Sequence, residues 1–321
     1  MKRTFGIFLI LISSLILTSC EEDFNPFSEK KNVFILNSIL RNDTTYQTLT
    51  LSASYQPDGY DPYSITNDPV IRGADVRIWI NDSVFVFRDS TIKRTDTSRY
   101  KDDLYFYYHK SINLYPNSEI EVEVILSDGK KLTAKSKTPQ RLSFSSMSST
   151  VISESIEDFV KIIWNTYSSD KYFLPRMTFS YYKLINGVHT RFIKTVPMRY
   201  LTVDGKSTPV FPQPGYSNQL FVHKSVLEKA LEEISENDPN KESYSINEFV
   251  YVDVISFDNA LTRYYSSTLI KDNLTISVDE NDFTNVDGGL GIFASYNKDS
   301  YKLKFFATYI TSLGYKFNYG Q

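Results

Sequence analysis

Residues Glu119–Leu126 read Glu-Ile-Glu-Val-Glu-Val-Ile-Leu, alternating acid and aliphatic through most of their length. A period of two is the period of a strand, because successive side chains point to opposite faces. The three carboxylates therefore share a wet face and the aliphatics a core face. Ser127-Asp128-Gly129-Lys130 supplies turn residues, and Leu132-Thr133-Ala134-Lys135 returns, which makes a hairpin. Ala74–Ile80 also alternates, and Val84–Phe87 follows after Asn81-Asp82-Ser83 as a second hairpin. Asn32–Asn37 is a further short apolar run, and Thr138-Pro139 closes the block. The aromatic usage agrees with a sheet protein: 24 Tyr and 22 Phe suit a pleated, half-buried surface.

The Ser-rich stretch from Ser143 to Ser155 reads as a domain boundary. Beyond it come the strand Val160–Asn165, then Tyr172-Phe173-Leu174 and the aromatic-rich Met177–Leu184. Trp164 late in an early strand is the spacing of a fibronectin type III-like sandwich, and it is expected in the core. Strands resume at Phe249–Phe257 and Leu274-Thr275-Ile276, and the chain finishes with Gly288–Tyr296 and Tyr301–Phe306. One helix interrupts them. Val226, Leu227, Ala230, Leu231 and Ile234 recur at helical spacing, Ser225 and Glu228 have the spacing of a capping box, and Asn237-Asp238-Pro239 ends the run. It follows the proline-spaced loop Pro209, Pro212, Pro214, and its apolar stripe is expected to pack on its own sheet rather than on a partner. The expected fold is mostly β: two β-sandwich domains of immunoglobulin or fibronectin III-like type with one inserted α-helix. The N-terminal domain spans 32–139, and the C-terminal domain spans 156–321 with its helical insertion near 225–237.

Charge and chemistry exclude several functions. With 35 Lys+Arg against 38 Asp+Glu there is no cationic surplus for nucleic acid. A single cysteine allows neither an intramolecular disulfide nor a paired-thiolate zinc site. His109, His189 and His223 are scattered, and no Ser sits in a G-x-S-x-G elbow. Gly288-Gly289-Leu290-Gly291 lacks the Lys-Ser/Thr ending of a phosphate loop and is expected to mark close backbone approach or a bulge. Asp279, Glu280, Asp282 and Asp287 read as a solvated loop, since Phe283 stands where a calcium loop needs an oxygen ligand. Asp253 and Asp258 are isolated carboxylates whose separation in space the sequence does not set. The clusters Tyr105-Phe106-Tyr107-Tyr108 and Tyr181-Tyr182 could supply a sugar- or peptide-binding face, though alternation leaves only the outward half available. No catalytic residue, metal ligand or cofactor is assigned, no ligand-binding residue is singled out, and the chain is expected not to be an enzyme.

At the other end of the chain, Lys2 and Arg3 precede the apolar run Phe5–Leu17, too short for a spanning helix of about 20 residues, and Thr18-Ser19-Cys20 follows. That is an export signal. Leu17-Thr18-Ser19-Cys20 resembles the bacterial lipoprotein box, which implies a signal peptide at 1–19, cleavage before Cys20, a diacylglycerol on its thiol and a palmitate-type acyl chain on the new amino terminus. Each buried methylene then contributes about 0.8 kcal/mol to anchoring. Residues 20–31 would be the acylated cysteine and linker. Within them Glu21-Glu22-Asp23 resembles the tag that Bacteroidota use to export lipoproteins to the cell surface.

A wider resemblance joins these pieces. The lipoprotein box with its acidic tail, Pro69–Val76, Leu114–Ser118 leading to Ser127–Lys130 and Thr138-Pro139, and Gly289–Phe293 together resemble the Bacteroidota outer-membrane lipoproteins of domain of unknown function 4249. The resemblance covers nearly the whole mature chain and carries no catalytic residues. It implies an outer-membrane location facing the cell exterior and a TonB-dependent outer-membrane receptor as partner in nutrient binding or uptake. The alternative is an adhesin or a structural component of envelope assembly.

Overall fold

The computed structural model describes residues 33–54, 64–155, 158–166, 171–236, 238–269 and 283–319. The first block forms eight strands: β1 (Phe34–Arg41), β2 (Gln47–Ala53), β3 (Asp75–Ile80), β4 (Ser83–Val86), β5 (Arg88–Ile92), β6 (Leu104–His109), β7 (Glu119–Ile125) and β8 (Lys131–Lys137). Both expected hairpins are present. β3 and β4 join through Asn81-Asp82, with Asn81 in the left-handed region at φ 50°. β7 and β8 join through a turn in which Gly129 takes φ 82°. Glu119 and Glu121 lie opposite Lys137 and Lys135 in the ladder and pair with them at 3.0 and 2.9 Å. On the other face Ile120, Val122 and Val124 join Val76, Ile78, Leu132 and Ala134 against Leu36, Leu40, Leu49, Leu51 and Tyr107. These two faces belong to the sheets β4-β3-β7-β8 and β1-β2-β6-β5, so the block is a two-layer sandwich.

The second block contains β9 (Ser143–Phe144), β10 (Val151–Ile152), β11 (Phe159–Asn165), β12 (Phe173–Ile185), β13 (Val188–Val196), β14 (Arg199–Val203), β15 (Lys206–Val210), β16 (Gln219–His223), α1 (Lys224–Glu232), β17 (Tyr244–Phe257), α2 (Asn259–Leu269), β18 (Leu290–Phe305), α3 (Ala307–Ser312) and β19 (Lys316–Asn318). One layer is β13-β12-β17-β18, and the other is β16-β11-β9. Val160, Ile162, Trp164, Leu220 and Val222 pack between them on Met177, Phe179, Val252 and Leu303. Trp164 is fully buried, its ring edge-on to Phe173 at 5.8 Å, as its position in an early strand led one to expect.

Two serines of the Ser-rich stretch lie along β11. Ser148 accepts the Ile163 N–H at 2.9 Å and Ser149 accepts the Lys161 N–H at 3.0 Å, so hydroxyls substitute for a strand partner along β11. The two sandwiches share a strand. β18 runs parallel to β1 from Leu290 to Tyr296, then antiparallel to β17 from Tyr296 to Lys304. Its Phe293 is buried in the first core and its Leu303 in the second, and one sheet from each sandwich joins through it into a continuous ten-stranded sheet among the described residues. The glycines at its start make that seam possible. A Cβ on Gly289 would lie 2.5 Å from the Phe34 carbonyl oxygen and one on Gly291 2.1 Å from that of Leu36, which is the close backbone approach expected of the cluster.

The inserted helix differs in its start. α1 begins at Lys224 with His223 at the N-cap and no side-chain capping bond; Ser225 lies inside the first turn, so the capping box does not form. The helix buries Leu227, Ala230 and Leu231 in the second core, which is packing on its own sheet. α2 and α3 were not expected. The strand expected at Leu274–Ile276 lies outside the described residues. No helix among the described residues is long and apolar enough to cross a membrane.

Candidate functional site

Cys20, Glu21, Glu22 and Asp23 lie outside the described residues, as do Asp279, Glu280 and Asp282. Asp287 is exposed and bridges to Thr133 through the backbone. Asp253 and Asp258 sit in separate networks. Asp253 accepts a hydrogen bond from the Ser300 hydroxyl and lies 3.6 Å from Lys298 Nζ. Asp258 is fully buried and caps α2, its Oδ1 accepting the Leu261 N–H at 2.8 Å.

The histidines remain apart. His109 packs between Phe85 and Phe87, and burial followed by the Arg88 charge lowers its pKa. His189 and His223 are exposed on β13 and at the end of β16. Among the described residues no three His, Cys, Asp or Glu gather as a metal site. In the tyrosine cluster the inward pair is structural: Tyr107 donates to the Ile71 carbonyl at 3.0 Å and accepts the Ala74 N–H at 3.1 Å, while Tyr105 donates to Asp89. Burial raises the Tyr105 hydroxyl well above its usual value. Of the outward pair, Tyr108 stacks on Tyr46 at 5.4 Å. Tyr181 turns toward the second core and stacks on Phe192.

A groove that the motifs did not point to opens on the second sandwich, with a volume of about 820 Å³. Because β11 and β16 bury Val160 and Val222, alternation turns Phe159 and Phe221 outward, and these rings meet edge-to-face at 5.2 Å to form its floor. Tyr200 stands on one wall and Val226 and Lys229 of α1 on the other. The walls are tied together. Lys229 Nζ lies 4.4 Å from the Tyr200 ring centroid and donates to the Ser207 hydroxyl, while Lys194 pairs with Glu233 at 2.6 Å. Burial, then the Glu233 charge, pushes the Tyr200 hydroxyl well above its ordinary pKa. Lys161 sits 5.6 Å over the Phe221 ring, and Arg199 adds another cation. An aromatic floor with a cationic rim suits a ligand that is apolar along one side and negatively charged along the other.

The wall formed by β14 and β15 carries a turn signal in its sequence. Asp204-Gly205 turns this hairpin with φ of 51° and 74°, and Asn186-Gly187 turns β12 into β13 with 51° and 79°. Both dipeptides are strong two-residue hairpin markers. A second cavity of about 610 Å³ lies at the seam between the sandwiches, where Lys137, Lys171, Asn259 and Arg263 line it.

No protein-family model matches this chain, and no curated protein matches it at a significant level.

Proposed function

We propose that the chain is a surface-exposed outer-membrane lipoprotein of the group it resembles, anchored through Cys20, which assists a TonB-dependent receptor in binding or taking up a nutrient and catalyses no reaction itself. One observation carries this reading: Leu17-Thr18-Ser19-Cys20 closes an export signal and runs directly into Glu21-Glu22-Asp23. The body supports it. The aromatic groove offers such a body a place to hold a partner or its ligand.

The test is purification of the epitope-tagged protein from detergent-solubilised outer membranes. A co-purifying β-barrel receptor is the expected result. A tagged chain that fractionates with the outer membrane yet brings down no receptor would overturn the receptor role.

A further inference from the structure

We infer that the groove beside β16 receives an extended, acidic segment of a partner protein, added to the sheet as a further strand. This rests on the binding role proposed above and supplies the chemistry of the partner.

β16 is an edge strand, paired only with β11 among the described residues. Two bonds flanking the ladder set which backbone groups are used. The Lys224 N–H donates to the Asp158 carbonyl at 2.9 Å, and the Trp164 N–H donates to the Asn218 carbonyl at 3.1 Å. In an antiparallel ladder hydrogen-bonded pairs alternate with unbonded ones. Leu220 and Val222 therefore bond β11, Gln219 and Phe221 turn both their N–H groups and carbonyls to the open edge, and His223 turns its N–H there while its carbonyl starts α1. Gln219 bears this out, because the Ser217 hydroxyl accepts its N–H at 3.3 Å and donates to its carbonyl at 2.9 Å. Ser217 thus blunts one end of the edge. No strand among the described residues lies beside Phe221 and His223, which leaves the Phe221 N–H and carbonyl and the His223 N–H as a template for strand addition.

The side chains along that edge say what would be added. A strand presents alternate residues to each face. Phe159 and Phe221 accept apolar side chains on one face, while Lys161, Arg199 and Lys229 favour carboxylates on the rim. The chain already uses this pairing internally, where the acidic alternating β7 lies against Lys135 and Lys137 of β8.

The experiment selects N-acetylated octapeptides from a random library against the purified mature chain in detergent and measures affinities of the enriched sequences. Enrichment of alternating acidic and β-branched or aromatic residues is expected, with affinity falling as salt rises. His223 also lines the groove, so the comparison is between two variants that both lack its imidazole: His223→Pro removes an N–H outside the ladder at a residue whose φ is already −61°, so the fold is retained and binding should be about tenfold weaker than in His223→Ala, which keeps that N–H. N-methylation of alternate peptide residues tests the same bonds from the ligand side: methylation on one edge abolishes binding and on the other does not. Enrichment without acidic character, or equal affinity of His223→Pro and His223→Ala together with indifference to N-methylation, overturns the proposal. So does concentration-dependent dimerisation that His223→Pro abolishes while no peptide binds, which would make a second copy the occupant. A failed peptide selection leaves anchoring and receptor co-purification untouched, so the two readings fail separately.

Discussion

Ser136 on β8 donates a 2.7 Å hydrogen bond to the carboxylate of Asp258, 122 residues further along the chain. The same carboxylate oxygen accepts the Ser295 N–H at 2.6 Å and its hydroxyl at 2.9 Å, while the other oxygen caps α2 through Leu261. One buried side chain thus ties the first sandwich, the shared strand and a helix of the second block. Replacement by alanine would leave four donors without their acceptor, the Ser295 and Leu261 N–H groups among them in buried surroundings. Asp258→Ala is expected to destabilise by roughly 3–5 kcal/mol and Asp258→Asn by about 1–3 kcal/mol, since an amide keeps one acceptor but sets its NH₂ against a donor. Urea unfolding of both variants checks the order. If Asp258→Ala unfolds at the wild-type midpoint, the carboxylate does not hold the seam.

Asp258 also makes stability depend on pH in an unusual direction. Burial raises its carboxyl pKa above the usual value, and the four donors offset only part of that rise. A carboxyl with a raised pKa binds its proton more tightly folded than unfolded. Its contribution is therefore fully present below the unfolded value of about 3.9 and is lost as pH rises through the folded value. The stability difference between wild type and Asp258→Asn should shrink as pH rises above about 4. A difference that grows over that range would place the folded pKa below the unfolded one.

How far these features could be read from sequence depends on whether the signal is local. The alternation in Glu119–Ile125 specifies its strand, its faces and its salt-bridge partners, because each is set by residues within one hairpin. Trp164 and the stripe of α1 declare their burial in the same way. The seam is different. Nothing within Leu290–Phe305 says that its first half will pair with Phe34–Arg41, some 250 residues earlier, and its second with β17. Only the glycines hint at it. The groove was invisible for a related reason: Phe159, Tyr200, Phe221 and Lys229 converge from a strand, a hairpin arm, a second strand and a helix, and no local spacing joins them. Asp258 reads as a stray carboxylate in sequence because its partners Ser136 and Ser295 lie 122 and 37 residues away, beyond any local pattern.

The anchor is testable without any partner. Cys20→Ser removes the only thiol in the chain, and with it the proposed acceptor for a diacylglycerol. The variant is expected to lose incorporation of radiolabelled palmitate and to leave the outer-membrane fraction. Replacing Glu21, Glu22 and Asp23 by alanine should keep labelling but protect the protein from protease added to intact cells. Continued membrane fractionation of Cys20→Ser would exclude lipid anchoring at that residue, and unchanged protease sensitivity of the triple variant would exclude the surface tag.

Gly291 and Gly205 separate backbone strain from close approach. Both take positive φ, 108° and 74°, so an added Cβ is conformationally unfavourable at either. At Gly205 the Cβ would meet open space, and Gly205→Ala is expected to cost about 1–2 kcal/mol. At Gly291 it would lie 2.1 Å from the Leu36 carbonyl oxygen, inside the parallel ladder that joins β1 to β18. Backbone on both sides is held by neighbouring strands, so the clash can be relieved only by opening the seam. Gly291→Ala should therefore cost upwards of about 3 kcal/mol, and amide hydrogens of β1 and the first half of β18 should exchange faster than those of β12 and β17. Equal losses in the two variants would mean that the seam tolerates displacement, and the shared strand would then not be what couples the two sandwiches.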